Sequence, residues 1–167
     1  MRFDLRAAQV AEAVERLQQL ADNLDQALSK LDQEIPANAK VMLLYGSGSV
    51  IANGTLAEVR HELKERYVSE FGGIEPNPSY ERLSQAVVQV KEEGISYILA
   101  VGGGSVIDGA KYIAAAACME VDGWAILETG GRCITRTLPV GVVLTLAATG
   151  SEMNNSAVVT RVSTHNT

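Results

Sequence analysis

Apolar residues recur along this chain with two periods, and the switches between them lay out its elements. Over residues 5–31 the apolar positions Val10, Ala13, Val14, Leu17, Leu20, Ala21, Leu24, Ala27, Leu28 and Leu31 fall three and four apart with charged residues between them, which predicts one long amphipathic helix. At ~1.5 Å per residue it spans roughly 40 Å, more than a domain of this size needs for a packing helix. Its outer end therefore either projects toward a partner or lies along its own domain. Pro36 and Asn38 stop the pattern. Residues 41–45 (Val-Met-Leu-Leu-Tyr) and 97–101 (Tyr-Ile-Leu-Ala-Val) are unbroken apolar runs of strand length, the signature of strands buried on both faces of a parallel sheet. Residues 138–146 form another such run, alternation over residues 67–71 predicts a strand, and residues 157–161 are expected to form one more.

Helix signals fill the gaps. Thr55-x-x-Glu58 reads as a capping box opening a helix to Arg66. Phe71-Gly72-Gly73-Ile74-Glu75-Pro76-Asn77-Pro78 predicts a stiff turn, with Asn77 capping the next helix, Pro78 at its first position, and Leu83, Ala86, Val87 and Val90 on its apolar face. A third helix begins at Val106, and its small residues over 110–119 suit close packing on a sheet. Strands alternating with helices predict an α/β fold with a wound parallel sheet; the long helix, residues 1–35, precedes an α/β domain over residues 36–167.

Two of the predicted strands end in glycine loops, and these carry the candidate chemistry. Leu43-Leu44-Tyr45-Gly46-Ser47-Gly48-Ser49-Val50 and Leu99-Ala100-Val101-Gly102-Gly103-Gly104-Ser105-Val106 share one local design at an offset of 56 residues. Without Cβ atoms, Gly102, Gly103 and Gly104 turn sharply and let a bulky anion approach the backbone, while unpaired N–H groups at the following helix start point at it. The alternative is a tight turn that needs glycine for its dihedrals and binds nothing. Neither familiar phosphate frame fits: Ile107 and Ile51 stand where a dinucleotide fingerprint needs its third glycine, and no Gly-Lys-Ser/Thr follows either loop.

Composition narrows the field further. With 167 residues, 47% hydrophobic and 20% charged, and a net charge of −6, the chain can bury one core and offers no basic surface for nucleic acid. Its longest weakly polar window, residues 138–149, falls short of the ~20 residues a membrane-spanning helix requires, and no secretory pattern opens the chain, so no membrane association and a cytoplasmic address are expected. Cys118 and Cys133 lack Cys-x-x-Cys spacing and read as small buried hydrophobes. No Gly-x-Ser-x-Gly elbow is present, which excludes that class of serine hydrolase, and Glu92-Glu93 reads as a solvated face.

Gly102-Gly103-Gly104-Ser105-x-x-Asp108-x-x-Lys111, the turn from Phe71 to Pro78, and Leu144-Thr145-Leu146-Ala147-Ala148-Thr149-Gly150-Ser151-Glu152 together closely resemble the iron-containing alcohol dehydrogenases, in the branch of NADP-dependent butanol dehydrogenases and aldehyde reductases. The likeness runs from about residue 28 to 161. It implies a Rossmann-like sheet of the dehydroquinate synthase-like superfamily and the interconversion of short- or medium-chain alcohols and aldehydes. It also implies a dinucleotide across the strand ends, its pyrophosphate on Gly103, Gly104 and Ser105, with Asn77, Thr145 and Thr149 contacting the cofactor. Asp108 matches the family's acidic position near the nicotinamide end, although a carboxylate in the first turn is also favoured by the helix dipole alone. Lys111 either neutralises phosphate or is solvated. The loop of Gly46, Ser47, Gly48 and Ser49 carries no acid of the kind that holds an NAD ribose 2′-hydroxyl. Its small residues leave room for a 2′-phosphate near Ser47 and Ser49, so NADP(H) is expected over NAD(H).

The sequence also departs from the family. There, iron or zinc is held by one aspartate and three histidines from a helical second domain, whereas this chain holds only His61 and His165. Fe²⁺ or Zn²⁺ is therefore expected only if that C-terminal domain is supplied, and no catalytic residue is assigned in this chain. The long helix stands where the family usually has an N-terminal strand, leaving a sheet edge uncovered or differently paired. Two readings compete: the cofactor-binding half of an NADP-dependent, metal-dependent alcohol dehydrogenase, or a non-catalytic NADP-binding module that associates through its N-terminal helix with itself or a full-length relative. A glycerol-dehydrogenase-like or dehydroquinate-synthase-like protein is a third.

Overall fold

The structure is a computed structural model that describes residues 28, 30, 31, 33–145 and 156–162. Along the chain run β1 (Val41–Gly46), α1 (Ser49–Ala52), α2 (Thr55–Glu62), β2 (Val68–Ile74), α3 (Tyr80–Glu93), β3 (Tyr97–Gly102), α4 (Gly104–Ala116), α5 (Ala125–Glu128) and β4 (Val140–Leu144). The strands form one parallel sheet in the order β2-β1-β3-β4. This is the wound α/β architecture the alternating pattern predicts.

The two continuous apolar runs occupy the middle of the sheet because each has helices on both faces. In β1, Val41, Met42, Leu43 and Leu44 are each 0% exposed. The strand pleat sends Met42 and Leu44 into one core with α3 and α4, and Val41 and Leu43 into a second core with Leu28, Leu31, Ile35 and α2. Burial of each such side chain contributes about 1.5–3 kcal/mol, so the centre of the sheet is the most strongly held part of the fold. The 56-residue offset between the two loop motifs is also the sheet register: Leu43 faces Leu99 and Tyr45 faces Val101 across β1 and β3.

Several local expectations are corrected. The run at residues 138–146 gives the edge strand β4, whose five residues are all only half-buried because one side of it has no neighbouring strand among the described residues; Leu146 lies outside them. The strand expected at residues 67–71 continues to Ile74. Gly72 is needed there because a Cβ would lie 2.5 Å from the Tyr45 ring. Asn77 does not cap a helix. It sits at φ 54°, and Ser79 caps α3 by accepting the Arg82 N–H at 3.3 Å. Thr55 is the first residue of α2 rather than its cap; Gly54 is the cap, and the Thr55 N–H donates to Asn53 Oδ1 at 3.1 Å. That helix ends at Glu62, and Arg66 instead donates to the carbonyls of Ile35 and Pro36. Residues 157–161 form only an isolated bridge, Ser79 with Thr160.

Most of the N-terminal helix expected over residues 5–31 lies outside the described residues. Its described end is helical, and Leu28 and Leu31 are buried on the protein's own sheet at 4% and 9% exposure. No helix among the described residues is long and apolar enough to cross a membrane.

Candidate functional site

Because β1 and β3 are parallel neighbours in matching register, the loops that leave their carboxyl ends emerge at the same level. Between them opens a cleft of about 670 Å³, inside the ~300–1,000 Å³ range of small-molecule and cofactor sites. Gly46, Ser47, Gly48 and Ser49 form one wall; Gly102, Gly103, Gly104, Ser105 and Asp108 form the other, and Asn77 closes a third side. Ten of the twelve cofactor-binding positions read from the sequence thus meet in one place. Thr145 does not line the cleft; its N–H donates to Gly102 O at 3.1 Å, extending the β3–β4 ladder and holding the start of the glycine loop. Thr149 lies outside the described residues.

The second loop is built to present donors. The N-cap of α4 is Gly103, with no side-chain cap, so the helix starts at Gly104, two residues before the expected Val106. The Val106 and Ile107 N–H groups close onto Gly103 O at 3.1 and 3.2 Å. Helix geometry leaves the N–H groups of Gly104 and Ser105 without an intrahelical acceptor, at the positive end of a 13-residue helix. The requirement for glycine at 102 is steric: a Cβ there would lie 2.7 Å from Val106 Cγ2. The first loop is open, and nothing comes within 4 Å of a Cβ placed at Gly48.

Asp108 and Lys111, each ambiguous from sequence, both turn out to hold the segment of residues 156–162. Asp108 Oδ2 accepts the Val158 N–H at 3.2 Å, while its Oδ1 is buried with no hydrogen-bond partner among the described residues. Lys111 Nζ donates to Ser156 O at 2.7 Å, so one of its three ammonium donors is taken by the protein backbone. Ser156, Ala157 and Val158 line the cleft and were not found by sequence reasoning. No glycine pattern marks them as part of a site; tertiary folding alone brings them beside Asp108.

At the back of the first loop, Tyr45 packs into a charged cluster. Arg60 donates Nε to Glu70 Oε1 at 2.7 Å and Nη2 to Oε2 at 2.6 Å, and the Tyr45 hydroxyl donates to the same Oε2 at 3.0 Å. The Arg60 hydrogen bonds hold the Glu70 carboxyl below its ordinary range, and burial followed by the Glu70 contact raises the Tyr45 phenol. The cluster fixes the end of β1 against β2.

These residues fit a dinucleotide: unpaired backbone donors suit a diphosphate, open space beside Gly48 admits a substituent on a ribose, and the orphaned Asp108 oxygen offers an acceptor. They do not fit a metal ion. Among the described residues no group of three His, Cys, Asp or Glu side chains converges, His61 is exposed on α2, and His165 lies outside them.

Comparison with known proteins agrees with this fold. Residues 24–167 match the profile of the family described as iron-containing alcohol dehydrogenase. The chain is 52% identical over 140 residues to the NADPH-dependent aldehyde reductase YqhD of Escherichia coli (strain K12), covering 83% of this chain and 36% of that protein. It is 43% identical over 136 residues to the probable NADH-dependent butanol dehydrogenase 1 of Bacillus subtilis (strain 168), covering 80% of this chain and 35% of that protein. The crystal structure of E. coli K-12 YqhD superposes with a TM-score of 0.80 at 52% identity, over 83% of this chain and 36% of that one. The chain therefore spans about a third of the length of these relatives.

Proposed function

This chain belongs to the iron-containing alcohol dehydrogenase family, and from that premise we propose that it is the cofactor-binding portion of an NADP(H)-dependent, metal-dependent enzyme that interconverts short- or medium-chain alcohols and aldehydes. The observation that carries this reading is the convergence of two glycine loops, one from each of two adjacent parallel strands, on a single cleft. In this reading the N–H groups of Gly104 and Ser105 bind the diphosphate, which the dipole of α4 favours. Gly46 and Gly48 keep the end of β1 clear for the adenosine ribose and its 2′-phosphate, with Ser47 and Ser49 supplying hydroxyl donors. Asn77 and Asp108 sit on the remaining walls, where their polar atoms orient the other half of the cofactor. The bound cofactor supplies hydride to the aldehyde or accepts it from the alcohol; the residues of this chain bind and orient it.

Support for NADP over NAD comes from the acid-free end of β1 and from the 52% identity to a reductase whose name specifies NADPH, against 43% to one whose name specifies NADH. No step is assigned to iron or zinc, because the described residues provide no donor set for either. That same observation favours a second reading, in which the chain binds NADP(H) without catalysing its oxidation. A fluorescence titration with NADPH, run beside NADPH oxidation with butanal and added Fe²⁺ or Zn²⁺, separates them. Binding with metal-dependent turnover supports the enzyme, binding alone supports the module, and no saturable NADPH binding refutes both.

A further inference from the structure

The segment of residues 156–162 crosses α4 between the cofactor cleft and a second groove, and it is tied down at every step. Ser156 O receives Lys111 Nζ at 2.7 Å, the Val158 N–H reaches Asp108 Oδ2 at 3.2 Å, and Val159 is buried in the core at 2% exposure. Thr160 then pairs with the start of α3: the Tyr80 N–H donates to Thr160 O at 2.8 Å and the Thr160 N–H to Pro78 O at 3.0 Å. The last tie is Arg161. Its guanidinium lies 4.9 Å from the Trp124 ring centroid and 5.3 Å from that of Tyr80, two rings set edge to face at 77°. Tyr80 is itself fixed by donating its hydroxyl to Asp122 Oδ1 at 2.6 Å, the same oxygen that accepts the Trp124 N–H at 2.7 Å. Arg161 Nε is buried with no hydrogen-bond partner among the described residues, and the two aromatic faces together with the charge of nearby Asp122 favour the guanidinium there.

Cofactor-directed and structural features meet at Val158. Its N–H occupies one oxygen of Asp108, and the other is buried without a hydrogen-bond partner among the described residues, on a residue that lines the cleft. The hydrogen bond to Oδ2 favours one orientation of the carboxylate, so the strap biases the direction in which Asp108 presents its other oxygen. Arg161 is not among the described residues that line the cleft.

We propose that Arg161 and Lys111 are positioning residues: they clamp the 156–162 strap from its two ends so that the Val158 N–H aims Asp108 at the nicotinamide half of the bound cofactor. This rests on the dinucleotide reading given above, and it assigns the clamp to one half of that ligand. The adenosine half lies against the first glycine loop, on the far wall, and is independent of the strap.

The test uses the full chain with Arg161→Ala, Arg161→Lys and Lys111→Met, titrated with NADPH and with adenosine 2′,5′-bisphosphate, which carries the adenosine half alone. Arg161→Ala and Lys111→Met each weaken NADPH by about tenfold while leaving the bisphosphate within about twofold; Arg161→Lys recovers part of the loss by keeping a cation over the rings. Hydrogen exchange supplies the structural readout: the Val158 and Thr160 amides lose protection in Arg161→Ala and Lys111→Met while those of β3 do not. Equal weakening of both ligands means a general loss of structure and overturns the proposal, as does unchanged NADPH affinity with the strap released. If the unmodified protein binds neither ligand, the dinucleotide reading fails and the assignment of the clamp fails with it. If it binds the bisphosphate and NADPH equally, only the clamp is refuted.

Discussion

Gly46→Asp tests where the 2′-phosphate sits. Gly46 ends β1, and a Cβ there would lie 3.5 Å from Ile74 O and 3.6 Å from Val106 Cγ2, ordinary contact distances. Its φ lies outside the left-handed region, so an aspartate fits without backbone strain. The cost to folding is limited to the poor strand preference of Asp, within about 1 kcal/mol. The carboxylate then meets a phosphate monoester of about −1.5 to −2 charge. A carboxylate about 5 Å from that charge is repelled by about 5–7 kcal/mol at an effective dielectric of ~20 and by about 1–2 kcal/mol in bulk water. The mouth of this cleft is half-exposed, with Ser47 to Ser49 in solvent, so the working value lies close to the lower figure, at about 2 kcal/mol or about thirtyfold in affinity. NADH lacks that phosphate and gains a carboxylate acceptor for its ribose hydroxyls, so it is held equally well or better. Fluorescence titrations of both nucleotides against both proteins should show NADPH favoured by the unmodified chain and the preference lost or reversed in Gly46→Asp. Raising ionic strength from about 0.05 to 0.5 M should shrink the difference. An unchanged NADPH-to-NADH ratio, in a variant that still binds nucleotide, would mean the end of β1 is remote from the 2′ position.

Other perturbations report on the scaffold. Gly102→Ala drives a methyl to 2.7 Å from Val106 Cγ2; overpacking of this kind costs about 1–3 kcal/mol, and a urea titration should show that loss together with weaker NADPH binding as the loop is displaced. Leu99→Ala empties a site that is 1% exposed in the central strand, and chemical denaturation should record a loss of about 3 kcal/mol. Glu70→Gln removes the bidentate pair with Arg60, whose side chains are 33% and 47% exposed; solvent screening limits the effect to about 0.5–1 kcal/mol. Because the Glu70 carboxyl is lowered in the folded state, chiefly by the Arg60 hydrogen bonds, its stabilisation is present above the unfolded carboxylate pKa and disappears as pH falls through the folded value. Denaturation midpoints of the two proteins should accordingly differ at pH 7 and converge as pH falls below the folded-state pKa of Glu70. A difference that persists at acid pH would place the contribution of Glu70 in packing.

Local patterns suffice where one residue's chemistry decides its own backbone. The apolar runs of β1 and β3, the glycines that end them, and their 56-residue spacing are visible in one dimension, and because parallel strands pair with a constant offset, that spacing passes directly into the register that sets both loops around one cleft. What depends on a distant partner is not visible there. Asn77 and Ser79 are both good caps, and the bridge from Thr160 to Ser79 accompanies the choice of the second. Lys111 reads as a solvated or phosphate-binding cation until Ser156 arrives from 45 residues away, and Asp108 meets Val158 across 50. Residues 138–146 look like a central strand because hydrophobicity reports that a segment is apolar, not how many neighbours it finds; only the strand order leaves β4 at the edge among the described residues. Sequence thus determined the sheet centre and the glycine loops, while tertiary packing alone decided the strap that completes the cleft, since its hydrogen bonds to Lys111, Asp108 and the start of α3 are made by backbone groups that every residue type carries.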